Sequence, residues 1–220
     1  VMETGILMRY GFENQRGGVN KTLEMEKALC EKLGTRHAQL TPSGTTAVST
    51  ALAVCGIGAG DEVIMPTFTF VASFESILAL GAIPILVDID DTLTLDPAAV
   101  ERAITPRTKA IVPVHLFGQA ADMAPLLALA EKHHLAIVED TAQAIGAEYI
   151  FPDGTAKKAG TIGTLGATSF FPSKNLGCYG DGGAIFTNDD QLAHRVRGIV
   201  NHGMYRRYYH DEIGVNSRLD

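Results

Sequence analysis

The strongest constraint on this chain is a repeating order along it. Short strand-like runs, several of them uniformly apolar and bounded by Gly, Pro or Asp, alternate with stretches of helical spacing. The runs fall at residues 38–41, 62–65, 83–88, 110–114, 136–139, 168–171 and 183–187. A strand without polar alternation is one buried on both faces, as in a parallel sheet covered by helices. Helical stretches fall at 23–33, 45–55, 70–80, 97–104, 123–133 and 191–200. The first places Leu23, Leu29 and Leu33 near one face, and Gly34 stands where a helix turns off in the left-handed conformation. Strand–helix alternation implies βαβ units: an α/β fold of three layers, α/β/α, around a mostly parallel sheet. Residues 151–158, with Pro152, Asp153 and Gly154, read as a hairpin or surface excursion.

Composition removes several function classes. Lys plus Arg number 18 against 25 Asp plus Glu, a net charge of −7, with no basic cluster beyond Arg206 and Arg207. Nucleic-acid binding by bulk charge is not expected. Cys30, Cys55 and Cys178 are too widely spaced for a disulfide framework or a CxxC metal site, so a reducing cytoplasm is expected and no metal. The most apolar stretch, 71–87, is broken by Glu75, Gly81 and Pro84, which argues against a membrane span. The first residues lack the basic start and apolar run of a signal peptide.

In open α/β sheets, ligands bind beyond the carboxyl ends of the strands. Four segments sit there. In 42–47 (PSGTTA), Gly44 allows close backbone approach to an anion, and Thr45 and Thr46 offer hydroxyl donors beside free helix N–H groups. Taken alone, this segment favours a plain helix cap. Asp140 ends the apolar run 135–138, where an unpaired carboxylate is costly to bury. It needs a cation (a metal, an Arg or a protonated ring nitrogen), unless it only caps a helix. Lys174 stands in a Pro- and Gly-rich loop after a strand, as either a solvated surface residue or an amine able to form an imine with a carbonyl. Phe70, opening a helix, could stack on a planar ring or serve as plain core. Together the four meet the needs of pyridoxal 5′-phosphate (PLP): a phosphate cup, an imine-forming Lys, an acid for the ring nitrogen and a flat apolar lid.

The runs TPSGTTA (41–47), GDEVIMPTFTF (60–70), VPVHLFGQ (112–119), VEDTAQAIG (138–146) and SFFPSKNLGCYGDGG (169–183) resemble the DegT/DnrJ/StrS family of PLP-dependent, fold type I aminotransferases. The resemblance runs from about Thr22 to Asp220 and implies the large, PLP-binding domain of the aspartate-aminotransferase-like fold over 22–220, with 1–21 as an N-terminal arm. It puts the imine-forming lysine on Lys174, the acid facing the pyridine nitrogen on Asp140, and the residue near the ring hydroxyl on Gln143. Thr45, Thr46 and Ser169 take phosphate-contacting positions, beside Gly44, and Phe70 takes the stacking position. Asn216, in GVNSR (214–218), takes the position that reaches the phosphate in a partner subunit's site, which implies a homodimer.

The resemblance further implies transfer of an amino group from glutamate to a nucleotide-linked keto sugar. Asp140 would keep the ring nitrogen protonated, and the Lys174 amine would move the proton. The half from Ser169 onward is most similar to a subgroup aminating C3 of UDP-linked keto-uronic acids for polysaccharide synthesis. Relatives act at C4 of other nucleotide sugars or on cyclic ketones in antibiotic synthesis, and others are regulators without turnover. Arg206, Arg207 and His210 could meet an anionic nucleotide or uronate, or form only a solvated basic loop. The family's chains continue past the GVNSRLD segment into a smaller C-terminal domain, which is expected to be absent from these 220 residues.

Overall fold

The computed structural model describes residues 5–10 and 14–220. The arm assigned to 1–21 therefore lies partly outside the described residues, at 1–4 and 11–13. The helices are α1 (Lys21–Leu33), α2 (Gly44–Val54), α3 (Val71–Leu78), α4 (Pro97–Ala103), α5 (Met123–His133) and α6 (Asp190–Ile199). The strands are β1 (His37–Thr41), β2 (Glu62–Pro66), β3 (Ile83–Val87), β4 (Thr108–Ile111), β5 (Ala136–Asp140), β6 (Glu148–Ile150), β7 (Ala156–Lys158), β8 (Leu165–Ser169), β9 (Gly183–Thr187), β10 (Met204–Arg206) and β11 (Tyr209–His210).

Seven strands form one sheet in the order β1-β9-β8-β5-β4-β2-β3. Strand β9 runs antiparallel to both β8 and β1, and the other pairings are parallel. The period-two alternation of side chains makes the layers. Val63, Met65, Ala110, Val138 and Ile185 point to one face, against α2, α3 and α6. Ile64, Ile111 and Ile137 point to the other, against α4 and α5. Beyond them, Ala38, Leu40, Ala184 and Phe186 pack with α1. Helices on both sides explain the apolar runs of the inner strands, whereas β3, at the sheet edge, leaves Ile83 and Leu86 exposed.

Three local expectations shift. Strand β8 ends at Ser169 rather than Phe171, because Phe171 and the residues after it turn outward into an exposed loop. Strand β4 stops at Ile111, and Val114 returns only as an isolated bridge to Asp140. On α1, Leu23 is exposed, and the buried face is Glu26, Leu29 and Leu33. Glu26 is tolerated inside because its carboxylate takes both contacts of Arg9 Nη2 at 2.6 Å and the Leu40 N–H at 2.8 Å. That ion pair ties the arm, α1 and β1 together. The excursion at 151–158 is the turn and second strand of the β6–β7 hairpin, with Gly154 in the left-handed region at φ 85°.

Candidate active site

At the carboxyl ends of the parallel strands lies a pocket of about 320 Å³. Sheet and helix starts bring distant segments to it. The turn after β1 contributes Gly44 and Thr45, the start of α3 contributes Phe70, and the end of β5 contributes Asp140 and Gln143. Ser169 ends β8, and Lys174 comes from the loop that follows. Ser43, Thr69, Ser73 and Asp181 also line it, and none of these was singled out from the sequence. A hydroxyl residue inside a helix such as α3 carries no periodic signal. Only the fold reveals what Ser73 faces.

The first turn of α2 is built for an anion. Ser43 caps it, its Oγ accepting from Thr46 N at 3.1 Å. The first intrahelical bond runs from Ala47 N to Ser43 O, 3.1 Å, so the N–H groups of Gly44 and Thr45 precede the helical ladder. Thr46 is spent on the cap: its hydroxyl bonds to Ser43 O at 3.0 Å, and it does not line the pocket. Gly44 is required by close approach, because a Cβ there would stand 2.6 Å from Ser169 Cβ. Gly183 is required likewise, its Cβ position being 2.5 Å from Ser43 O. These contacts press the turn against β8 and β9.

Phe70 is 67% exposed and rises from the N-cap position of α3 without a capping bond of its own. Gln143 holds the neighbouring turn. Its Oε1 accepts from Phe117 N at 3.3 Å and its main-chain oxygen from Gly118 N at 3.0 Å. Phe117 adopts φ 54°, unusual for an aromatic residue, and lies 6.4 Å from the Phe68 ring. The Lys174 N–H donates to Phe171 O at 2.8 Å, closing the loop. Among the described residues no hydrogen bond or ion pair holds Lys174 Nζ.

The two adjacent carboxylates of β5 face opposite sides of the sheet and have different roles. Glu139 is fully buried behind the pocket and accepts four hydrogen bonds: His115 Nε2 at 2.9 Å, Gly160 N at 2.8 Å, Ile162 N at 2.7 Å and Gly163 N at 2.6 Å. Asp140, also buried, faces the pocket. It accepts only from Ser73 Oγ at 2.8 Å and Ala142 N at 3.0 Å. Both donors are neutral, and among the described residues no cation pairs with it. A buried carboxylate without a cation, on the wall of a pocket, fits a ligand that brings a cationic group. With the α2 turn and the unpartnered Lys174 amine, these residues fit PLP. Among the described residues no three His, Cys, Asp or Glu side chains group to hold a metal.

Residues 13–220 match the aminotransferase family DegT/DnrJ/EryC1/StrS. The chain belongs to this family. It is 50% identical over 198 residues to UDP-2-acetamido-2-deoxy-3-oxo-D-glucuronate aminotransferase of Pseudomonas aeruginosa, covering 90% of this chain and 54% of that protein. Among solved structures, it superposes on S. venezuelae DesV in complex with a ketimine intermediate with a TM-score of 0.86, at 47% identity, over 92% of this chain and 53% of that one. Bacillus subtilis NtdA with bound cofactor PMP gives a TM-score of 0.84 at 34% identity, over 100% of this chain and 47% of that one. The chain thus spans about half the length of the relatives it matches.

Outside the pocket, Asn216 pairs in an isolated bridge with Asn201, and its Oδ1 accepts from Arg218 Nη1 at 2.8 Å. Arg206 and Arg207 lie over the rings of Tyr209 and Tyr208, at 4.3 and 5.1 Å. His210 Nδ1 meets His202 O at 2.9 Å. None of these residues lines the pocket. Among the described residues no helix is long and apolar enough to cross a membrane.

Proposed function

We propose that this chain carries the cofactor site of a PLP-dependent aminotransferase that moves an amino group from glutamate to a nucleotide-linked keto sugar. The observation that carries this reading is one pocket that holds a buried Asp140 and a Lys174 amine, neither of which meets an oppositely charged group among the described residues. PLP, when bound, supplies an imine-forming carbonyl and a ring that accepts electrons as a proton leaves.

The chain's own residues have separable tasks. Gly44 and Thr45 N–H groups, with the Thr45 and Ser169 hydroxyls, receive the phosphate at the positive end of α2. Asp140 would face the ring nitrogen and help to keep it protonated. Lys174 Nζ would hold the cofactor and would be the base that takes and returns the substrate proton. Phe70 would cover the ring, and Gln143 would offer its amide nitrogen to the ring hydroxyl, since its Oε1 is engaged by Phe117 N.

The sugar assignment draws on the P. aeruginosa relative, whose name specifies a 3-oxo-glucuronate. The cationic hairpin at Arg206, Arg207 and His210 would suit such an anionic substrate. Asn216 lies outside this chain's own pocket, and we assign it to the phosphate of a partner subunit in a homodimer. Residues 22–220 would form the cofactor domain and 1–21 an arm.

The test is spectroscopic. Adding L-glutamate to the PLP-loaded protein should convert the imine absorbance to that of the pyridoxamine form. Lys174→Ala should abolish both the imine band and turnover. An imine band surviving in Lys174→Ala would refute the assignment.

A further inference from the structure

We infer that Ser73 is the positioning residue for Asp140, acting at the head of a hydroxyl chain that begins at Thr69. The inference rests on the reading that Asp140 faces the cofactor's ring nitrogen, and it adds what fixes the direction of that carboxylate.

The main chain of Asp140 is held by the sheet, with its N–H on Pro113 O and its C=O accepting from His115 N, both at 2.9 Å. These bonds fix the Cα but leave the carboxylate free to rotate. Among the described residues two groups hold it: Ala142 N on Oδ1, from its own turn, and Ser73 Oγ on Oδ2, from α3. Ser73 is therefore, among the described residues, the one side chain that orients this acid.

Ser73 is 2% exposed, yet it lines the pocket. Its Oγ also meets Thr69 Oγ1 at 3.2 Å. A serine hydroxyl has one proton, and an ionised carboxylate can only accept. With Asp140 ionised, Ser73 must donate to Oδ2 and Thr69 must donate to Ser73. The chain Thr69→Ser73→Asp140 thus holds Oδ2 through a donor whose own direction is set by a second hydroxyl. Its geometry also links two walls, because Ser73 sits one turn beyond Phe70, at the start of α3.

The experiment uses protein loaded with PLP labelled with nitrogen-15 in the ring. In the wild type, the ring-nitrogen resonance should report a protonated nitrogen. Ser73→Ala should keep the imine absorbance, because Lys174 is untouched, while the resonance moves toward the unprotonated position. Its kcat should fall roughly 10- to 100-fold, the loss of one hydrogen bond to a charged group, with a smaller change in KM. Ser73→Thr, which keeps the hydroxyl, should restore the resonance. Thr69→Val removes the outer donor and should move the signal the same way by less, which gives a reading even if Ser73→Ala does not fold. An unmoved resonance in Ser73→Ala, or in Thr69→Val where the former does not fold, overturns the inference. Absence of any imine band in the wild type would instead overturn the cofactor reading itself.

Discussion

Glu139→Gln is a near-isosteric change, yet the structure predicts a large loss of stability. Each Glu139 oxygen accepts two donors: Oε1 from Ile162 N and Gly163 N, and Oε2 from His115 Nε2 and Gly160 N. An amide can accept on one side only. Whichever way the glutamine is placed, its NH2 faces two donors. His115 cannot relieve the conflict by changing tautomer, because its Nδ1 already accepts from Ala121 N at 2.9 Å. Both residues are fully buried, so no water takes their place. Two orphaned buried donors at about 1–3 kcal/mol each give a loss of about 2–6 kcal/mol. Domains of this kind have about 5–15 kcal/mol in all. Removing the buried charge offsets part of the loss, so the lower half of that range is expected. The assay is urea unfolding followed by circular dichroism, comparing midpoints at equal m. Glu101→Gln is the control: its partner Lys132 Nζ is 3.0 Å away on an exposed surface, and the unfolding midpoint should stay essentially unchanged. If the two variants lose the same small amount, Glu139 is not the anchor described above.

Two more predictions follow from other parts of the chain. Gly44→Ala places its Cβ 2.6 Å from Ser169 Cβ and should both weaken PLP binding and cost about 1–3 kcal/mol, whereas Gly58→Ala, with open space around it, should leave PLP binding unchanged in the same absorbance titration. Burial, together with the hydrogen bond to the Glu212 carboxylate and its charge, pushes the Tyr205 phenol up to about 12 from its ordinary 10. The protonated phenol is therefore favoured in the fold: its contribution to stability is complete below pH 10 and is lost as pH rises through about 12. The ultraviolet phenolate difference between wild type and Tyr205→Phe should show a transition near pH 12, and a transition at 10 would refute the burial argument.

Much of the fold was legible because burial on both faces of a strand leaves an unmistakable trace. The runs at 62–65, 136–139 and 183–187 reappear as β2, β5 and β9 with little change. Where the trace failed, a polar group had been buried against a distant partner. Glu26 occupies a core position of α1 only because Arg9 and the Leu40 N–H meet it there, so periodicity drew attention to Leu23, which is exposed.

The candidate site divides along the same line. Local chemistry marked Gly44, Thr45, Thr46, Phe70, Asp140 and Lys174 from their positions after strand-like runs, and the resemblance added roles for Gln143, Ser169 and Asn216. By itself the sequence determined the residue types at the strand ends, because close approach, anion binding and imine formation each demand particular side chains. Only the tertiary structure decided which of them meet. It spent Thr46 on a cap and set Asn216 outside the pocket. Glu139 and Asp140 turned to opposite faces, because successive side chains on a strand point apart. Finally, it brought Ser73 of α3 to the carboxylate of β5 at 2.8 Å, a contact between segments that no local pattern relates.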